Sequence, residues 1–149
     1  RRPGATFITL MRNNDLRGCI GSLEAKRALA DDVHENALGA AFRDPRFKPL
    51  TADEWRDTWV EVSVLSAMQP IVLESEQTVL RDLRPGVDGV LLEFGHHRGT
   101  FLPQVWEQLP APEAFLMNLK RKAGLPPDFW EPGLKLSRYT VAKWREQDL

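Results

Sequence analysis

The chain predicts an α+β fold, and three observations carry that expectation. Strand-like alternation runs over Thr6–Arg12 and again over Trp59–Leu65, while Ala28–Phe42 and Pro112–Ala123 place apolar residues at helical spacing. These elements mix without the regular strand–helix–strand order of a doubly wound sheet. A length of 149 residues and a hydrophobic content of 42% suit one domain with a buried core.

Taken in order, Thr6–Arg12 sets Ile8 and Leu10 against Phe7, Thr9 and Met11. Asn13-Asn14-Asp15 tolerates left-handed backbone and suits a tight reversal, so Leu16–Gly21 returns as the second arm of a hairpin. A period of two puts Leu16, Gly18 and Ile20 on one face and Arg17, Cys19 and Gly21 on the other. Leu29, Val33, Ala37, Ala40 and Ala41 form the apolar stripe of the first helix, with Asp31 and Asp32 near its positive end. Asp44-Pro45 discourages its continuation, and Thr51 followed three residues later by Glu54 is the pattern of a capping box. In Trp59–Leu65 the valines Val60, Val62 and Val64 share one face; Trp59, Glu61, Ser63 and Leu65 share the other.

Farther along, the sequence predicts an edge strand at Ile71–Leu73, a short helix before Pro85-Gly86, and a hairpin joining Val90–Phe94 to Thr100–Leu102 across Gly95–Gly99. Pro112–Ala123 is the best-marked helix. It has proline in the first turn, Phe115, Leu116, Leu119 and Ala123 on one face, a basic run Lys120–Lys122 at its negative end, and Gly124 beyond. Leu134–Lys143 reads as a last strand.

Composition removes several function classes. A net charge of −1 argues against a phosphate-binding surface spread over the whole chain, while leaving room for a local basic patch. One cysteine cannot make an internal disulfide. No apolar run is long enough to span a bilayer, and the opening stretch lacks the apolar core of a signal peptide, so the cytoplasm is the expected location. Neither a Cys-x-x-Cys nor a His-x-x-x-His pair occurs, nor an EF-hand or carboxylate-rich cluster, so no metal or cofactor is expected. P-loop, dinucleotide-binding, nucleophile-elbow and RNA-recognition signatures are also missing.

The candidate chemistry gathers around Cys19. Arg17 is expected on the same strand face, where a guanidinium favours thiolate, and Gly18 and Gly21 open space for a ligand or another backbone. The plainer reading makes Cys19 a small packed hydrophobe and the glycines a bulge or tight crossing. His34, beside the apolar stripe of its helix, is a candidate general base, or else a boundary residue. Glu61 and Ser63 either line a pocket, with Glu61 as acid or base, or form the solvated side of an amphipathic strand. Arg43, Asp44 and Arg46 flank a proline turn, as surface ion pairs or an anion site. His96-His97 reads as a solvated hairpin tip, and the five tryptophans as packing at element edges.

Leu16-Arg17-Gly18-Cys19-Ile20-Gly21 resembles the signature hexapeptide of the AMMECR-domain family, the AmmeMemoRadiSam system protein A type. The resemblance continues in family order through Ala41–Leu50 (AFRDPRFKPL), Glu61–Ser66 (EVSVLS), Pro85–Gly89 (PGVDG), Phe101–Trp106 (FLPQVW) and Lys122–Leu125 (KAGL), so it covers nearly the whole chain. It implies a mixed, mostly antiparallel sheet flanked by helices, with a smaller subdomain forming a cleft near the hexapeptide. Family members usually carry a helical segment before the first strand, whereas this sequence starts almost at that strand. The resemblance also implies a pathway link to a Memo-like protein and a radical S-adenosylmethionine enzyme, and brings no established activity.

Three functions follow as expectations. The first is a binding or accessory module that holds a small molecule, peptide or partner group at Arg17, Gly18, Gly21, Arg43, Arg46 and Ser63. The second is a transferase or hydrolase with Cys19 as nucleophile and His34 or Glu61 as base. The third is an RNA-binding domain using Arg17, Arg43 and Arg46.

Overall fold

The computed structural model describes residues 2–146. Its strands and helices fall into two compact units, one running to Ser66 and resuming at Ala142, the other comprising Ala67–Val141. Each holds a four-stranded sheet, and all the strand pairs with a defined register are antiparallel, which gives the α+β class.

In the first unit, β1 (Ala5–Arg12) and β2 (Asp15–Gly21) form the hairpin expected from the sequence. Asn13 and Asn14 both take positive φ, 53° and 66°, which matches the two-residue turn whose twist suits paired strands. The hairpin is irregular in one respect: Leu10 pairs with Gly18 and Met11 with Leu16, so Arg17 is the extra residue of a bulge. This corrects the simple alternation, because Leu16 now shares the face of Met11 rather than that of Gly18 and Ile20.

The order across the sheet is β2-β1-β3-β8, with β3 at Thr58–Leu65 and β8 at Val141–Arg145. Helix α1 (Leu29–Phe42) covers one face, where Ile8, Leu10 and Ala40 form a core joined by Ile20, Val33, Ala37, Val60 and Val62. The valine face of β3 is therefore the core face, as its alternation predicts. Gly18 permits this packing, since a Cβ there would lie 2.0 Å from the carbonyl oxygen of Ala40. At Gly21 the missing side chain makes room for the Phe7 ring, 2.3 Å from where a Cβ would stand.

A buried polar knot fixes the start of α1. Asp32, 1% exposed, accepts hydrogen bonds from the Thr6 amide and hydroxyl, Asn36, Ser22 and Arg27. Burial pushes its carboxyl upward in pKa, but the bonds from Thr6, Arg27 and Ser22 outweigh that and hold it below the usual range. Helix α2 (Ala52–Trp55) carries both halves of the Thr51–Glu54 capping box.

In the second unit the sheet order is β4-β7-β5-β6. These strands are β4 (Gln69–Pro70), β7 (Lys135–Tyr139), β5 (Gly89–Phe94) and β6 (His97–Phe101), with helices α3 (Glu76–Asp82) and α4 (Pro112–Lys122) in the same unit. Trp106 stacks on Phe115 with centroids 3.8 Å apart, and its ring N–H donates to the Asp88 carbonyl at 2.7 Å. Val79, Leu92, Leu116, Leu119 and Leu136 complete the centre of this core.

Several expectations change here. The edge strand sits at Gln69–Pro70 rather than Ile71–Leu73, although the Ile71 amide still bonds Leu136. The expected strand Leu134–Lys143 divides at Thr140, so that β7 and β8 serve different sheets. The β5–β6 turn is only Gly95-His96, with Gly95 at φ 58°. His97 thus enters the strand and its Nδ1 lies 2.9 Å from the Ala123 carbonyl, beyond the expected solvated tip. Trp55 and Trp144 are exposed, not packed.

Candidate functional site

The bulge at Arg17 lets its guanidinium leave the sheet for α2. Arg17 Nε donates to Glu54 Oε2 at 2.8 Å, and Nη2 to Glu54 Oε1 at 3.1 Å and the Lys48 carbonyl at 2.6 Å. The forked geometry of guanidinium and carboxylate accounts for two parallel bonds. Glu54 also accepts from the Thr51 amide. Chiefly through Arg17, and then Thr51, its carboxyl falls from 4.5 to about 2. Arg17 Nη1 and Arg12 Nε are buried with no hydrogen-bond partner among the described residues.

A second ion pair closes the outer edge of β2. Asp44, buried at the turn after α1, accepts from Arg46 Nη2 at 2.7 Å and from the Cys19 amide at 3.0 Å through the same oxygen. Its other oxygen accepts from the Arg46 amide and Nε. The Arg46 bond is the main reason that the carboxyl is held well below the usual range, with the Cys19 amide adding to it. Arg17 and Arg46 both approach the Phe47 ring, at 5.7 and 5.4 Å from its centroid. Arg17 and Arg46 are thus each joined to a carboxylate.

Cys19 itself lies in a row that crosses the sheet on the face away from α1. Thr9 pairs with Cys19 on one side and with Glu61 on the other. The Cys19 sulfur is 3.5 Å from Thr9 Oγ1. Glu61, with its side chain 12% exposed, turns to β8, where Lys143 Nζ lies at 3.1 Å and Arg145 Nε at 4.0 Å. Ser63, 4% exposed, stands in register with Phe7. With both side chains largely buried, Glu61 and Ser63 are not the solvated side of an amphipathic strand.

The structure therefore brings Cys19, Glu61 and Ser63 onto one face and sets Arg17 and Arg46 at its β2 edge. It does not bring His34 to them: that residue is exposed on α1, which packs on the opposite face. Arg43 is also outside the row and bonds the Glu35 carbonyl at 3.2 Å, with its Oε2 at 3.5 Å. The space at Gly18 is taken by α1 and that at Gly21 by Phe7. Sequence reasoning missed Thr9, Glu54 and Phe47. Pairing register alone would identify Thr9, whereas Glu54 was absorbed by its capping pattern. Among the described residues, no three His, Cys, Asp or Glu side chains gather in a group able to hold a metal, and no helix is long and apolar enough to cross a membrane.

Comparison with known proteins shows the family to which this chain belongs. The AMMECR1 family model matches residues 1–144. A protein of Methanothermobacter thermautotrophicus is 41% identical over 98% of this chain and 77% of its own length, and one of Thermotoga maritima is 39% identical over 97% and 79%. The crystal structure of the uncharacterized protein PH0010 from Pyrococcus horikoshii superposes with a TM-score of 0.90 at 34% identity, covering 98% of this chain and 75% of that one. The chain belongs to the AMMECR1 family.

Proposed function

We propose that this protein is a binding or accessory module, and that it holds a small ligand, a peptide or a modified group of a partner on the sheet face carrying Cys19, Thr9, Glu61 and Ser63. One observation carries the reading: among the described residues, no base in the row is directed at the thiol. The sulfur meets a hydroxyl, the Glu61 carboxylate is engaged by Lys143 and Arg145, and the guanidinium groups of Arg17 and Arg46 by Glu54 and Asp44. Nucleophilic catalysis by a thiol needs a base within hydrogen-bond reach or a cation that favours thiolate. A row of polar groups held in place by their own neighbours suits recognition, because little ordering is left to be done on binding.

The setting proposed is the cytoplasm, in a pathway shared with a Memo-like protein and a radical S-adenosylmethionine enzyme. Arg17, Arg43 and Arg46, which an RNA-binding surface would use, each have a carboxylate neighbour, which supports ligand recognition over a nucleic-acid surface. The test is equilibrium dialysis of the protein against the small-molecule fraction of a cell extract, read by mass spectrometry. Metabolites enriched by the parent protein should be lost from Thr9→Val and Glu61→Gln variants that remain folded. Equal enrichment by all three would remove this face from the proposal.

A further inference from the structure

The second unit holds a cavity of about 250 Å³ in which the binding face has no part. Its apolar walls are Leu80, Leu116, Met117 and Pro127. On α4, Glu113, Leu116, Met117 and Lys120 follow at helical spacing, so one face of this helix supplies two charged and two apolar lining residues. Lys120 is 2% exposed; its Nζ donates to Glu76 and stands 5.7 Å from the Trp130 ring centroid. An ammonium has three donors, and Glu76 is the acceptor that Lys120 has among the described residues. Burying such a group with donors left over is costly unless an acceptor oxygen completes it.

The remaining lining groups set the charge of that molecule. Glu113 and Asp128 are exposed carboxylates at the cavity, and with Glu76 they outnumber the one ammonium. A free carboxylate is therefore disfavoured, while a neutral carbonyl oxygen suits Lys120 and a primary ammonium suits the two rim acids. We propose that this cavity binds a primary ammonium carried beside a neutral carbonyl on a short aliphatic group. Amino-acid amides and the N-termini of chains share this chemistry. The site is independent of the face around Cys19, and either can fail without the other.

Calorimetric titration of the whole chain with L-leucinamide tests it, alongside isoamylamine, which lacks the carbonyl, and L-leucine, which has a carboxylate in place of the neutral amide. Leucinamide should bind saturably, and the other two at least roughly tenfold more weakly, the scale of one charged hydrogen bond. Lys120→Met should weaken leucinamide by a similar factor, as should Glu113→Gln combined with Asp128→Asn, whose exposed positions spare the fold. A leucine-led peptide amide that binds equally well assigns the site to chain N-termini; binding of the free amide alone assigns it to small molecules. Absence of saturable leucinamide binding, equal binding of isoamylamine, or unchanged affinity in the rim variant overturns the proposal.

Discussion

Substituting Gly18 by alanine probes the close crossing of β2 and α1 that fixes the Cys19 strand. The new Cβ would stand 2.0 Å from the Ala40 oxygen and 2.9 Å from its carbonyl carbon. Carbon–oxygen contacts settle near about 3.3 Å, so strand or helix must retreat by roughly 1 Å. Both obstacles are backbone, and close-packed interiors transmit such strain. Overpacking costs about 1–3 kcal/mol. A stiffer unfolded chain returns about 0.4–1 kcal/mol. Because both obstacles are backbone, the upper end of that cost applies, and the net loss expected is about 2 kcal/mol. In urea, with a slope near 2 kcal/mol per molar, the unfolding midpoint should fall by about 1 M. Gly39→Ala is the internal control. The nearest atoms to its Cβ would be those of the Ile20 side chain, the first at 3.1 Å, which can shift. A helix interior gains up to about 1 kcal/mol from the change, so its midpoint should move little. A Gly18→Ala midpoint equal to the parent's, or a larger loss in Gly39→Ala, would refute the crossing as the reason for this glycine.

Three further outcomes follow. Glu54 titrates at about 2 when folded and 4.5 ordinarily, a depressed pKa, so its link to Arg17 stabilises fully above the ordinary value and is lost as pH falls through the folded one. Glu54→Gln should accordingly flatten the acid limb of stability between those two values, measured by urea midpoints against pH; an unchanged limb would remove the link. Asp32→Ala removes the acceptor shared by Arg27 and four other donor groups, two of them on buried Thr6, and should cost about 2–3 kcal/mol in denaturant unfolding. A loss under about 1 kcal/mol would mean that the knot is dispensable. Trp106→Phe keeps an aromatic against Phe115 but removes the donor to Asp88, and should cost about 1–2 kcal/mol by the same method; a neutral result would count against that bond.

Much of the frame was legible because it follows local rules. Alternation placed β1 and β3, paired asparagines placed the first turn, and Thr51 with Glu54 placed a cap that the structure completes with both bonds. The site was less legible, for a physical reason. Arg17 alternates correctly with Cys19 in sequence, but the bulge carries it to Glu54, a partner 37 positions away that no periodicity reveals. Gly18 and Gly21 signal close approach, and only tertiary packing says that Ala40 and Phe7 make it. The split of Leu134–Lys143 at Thr140 likewise depends on which sheet each half joins. His34 misled because a helical stripe names the face toward the sheet without saying which sheet face carries the thiol.

Whether the Cys19 face binds without covalent chemistry is decided most directly by Cys19→Ser. Parent and variant proteins, dialysed against the same metabolite fraction, should enrich the same molecules to the same extent, and the intact mass of the parent should not change. Loss of enrichment in the variant, together with a mass increase on the parent that maps to Cys19, would contradict the account and establish the cysteine as a nucleophile.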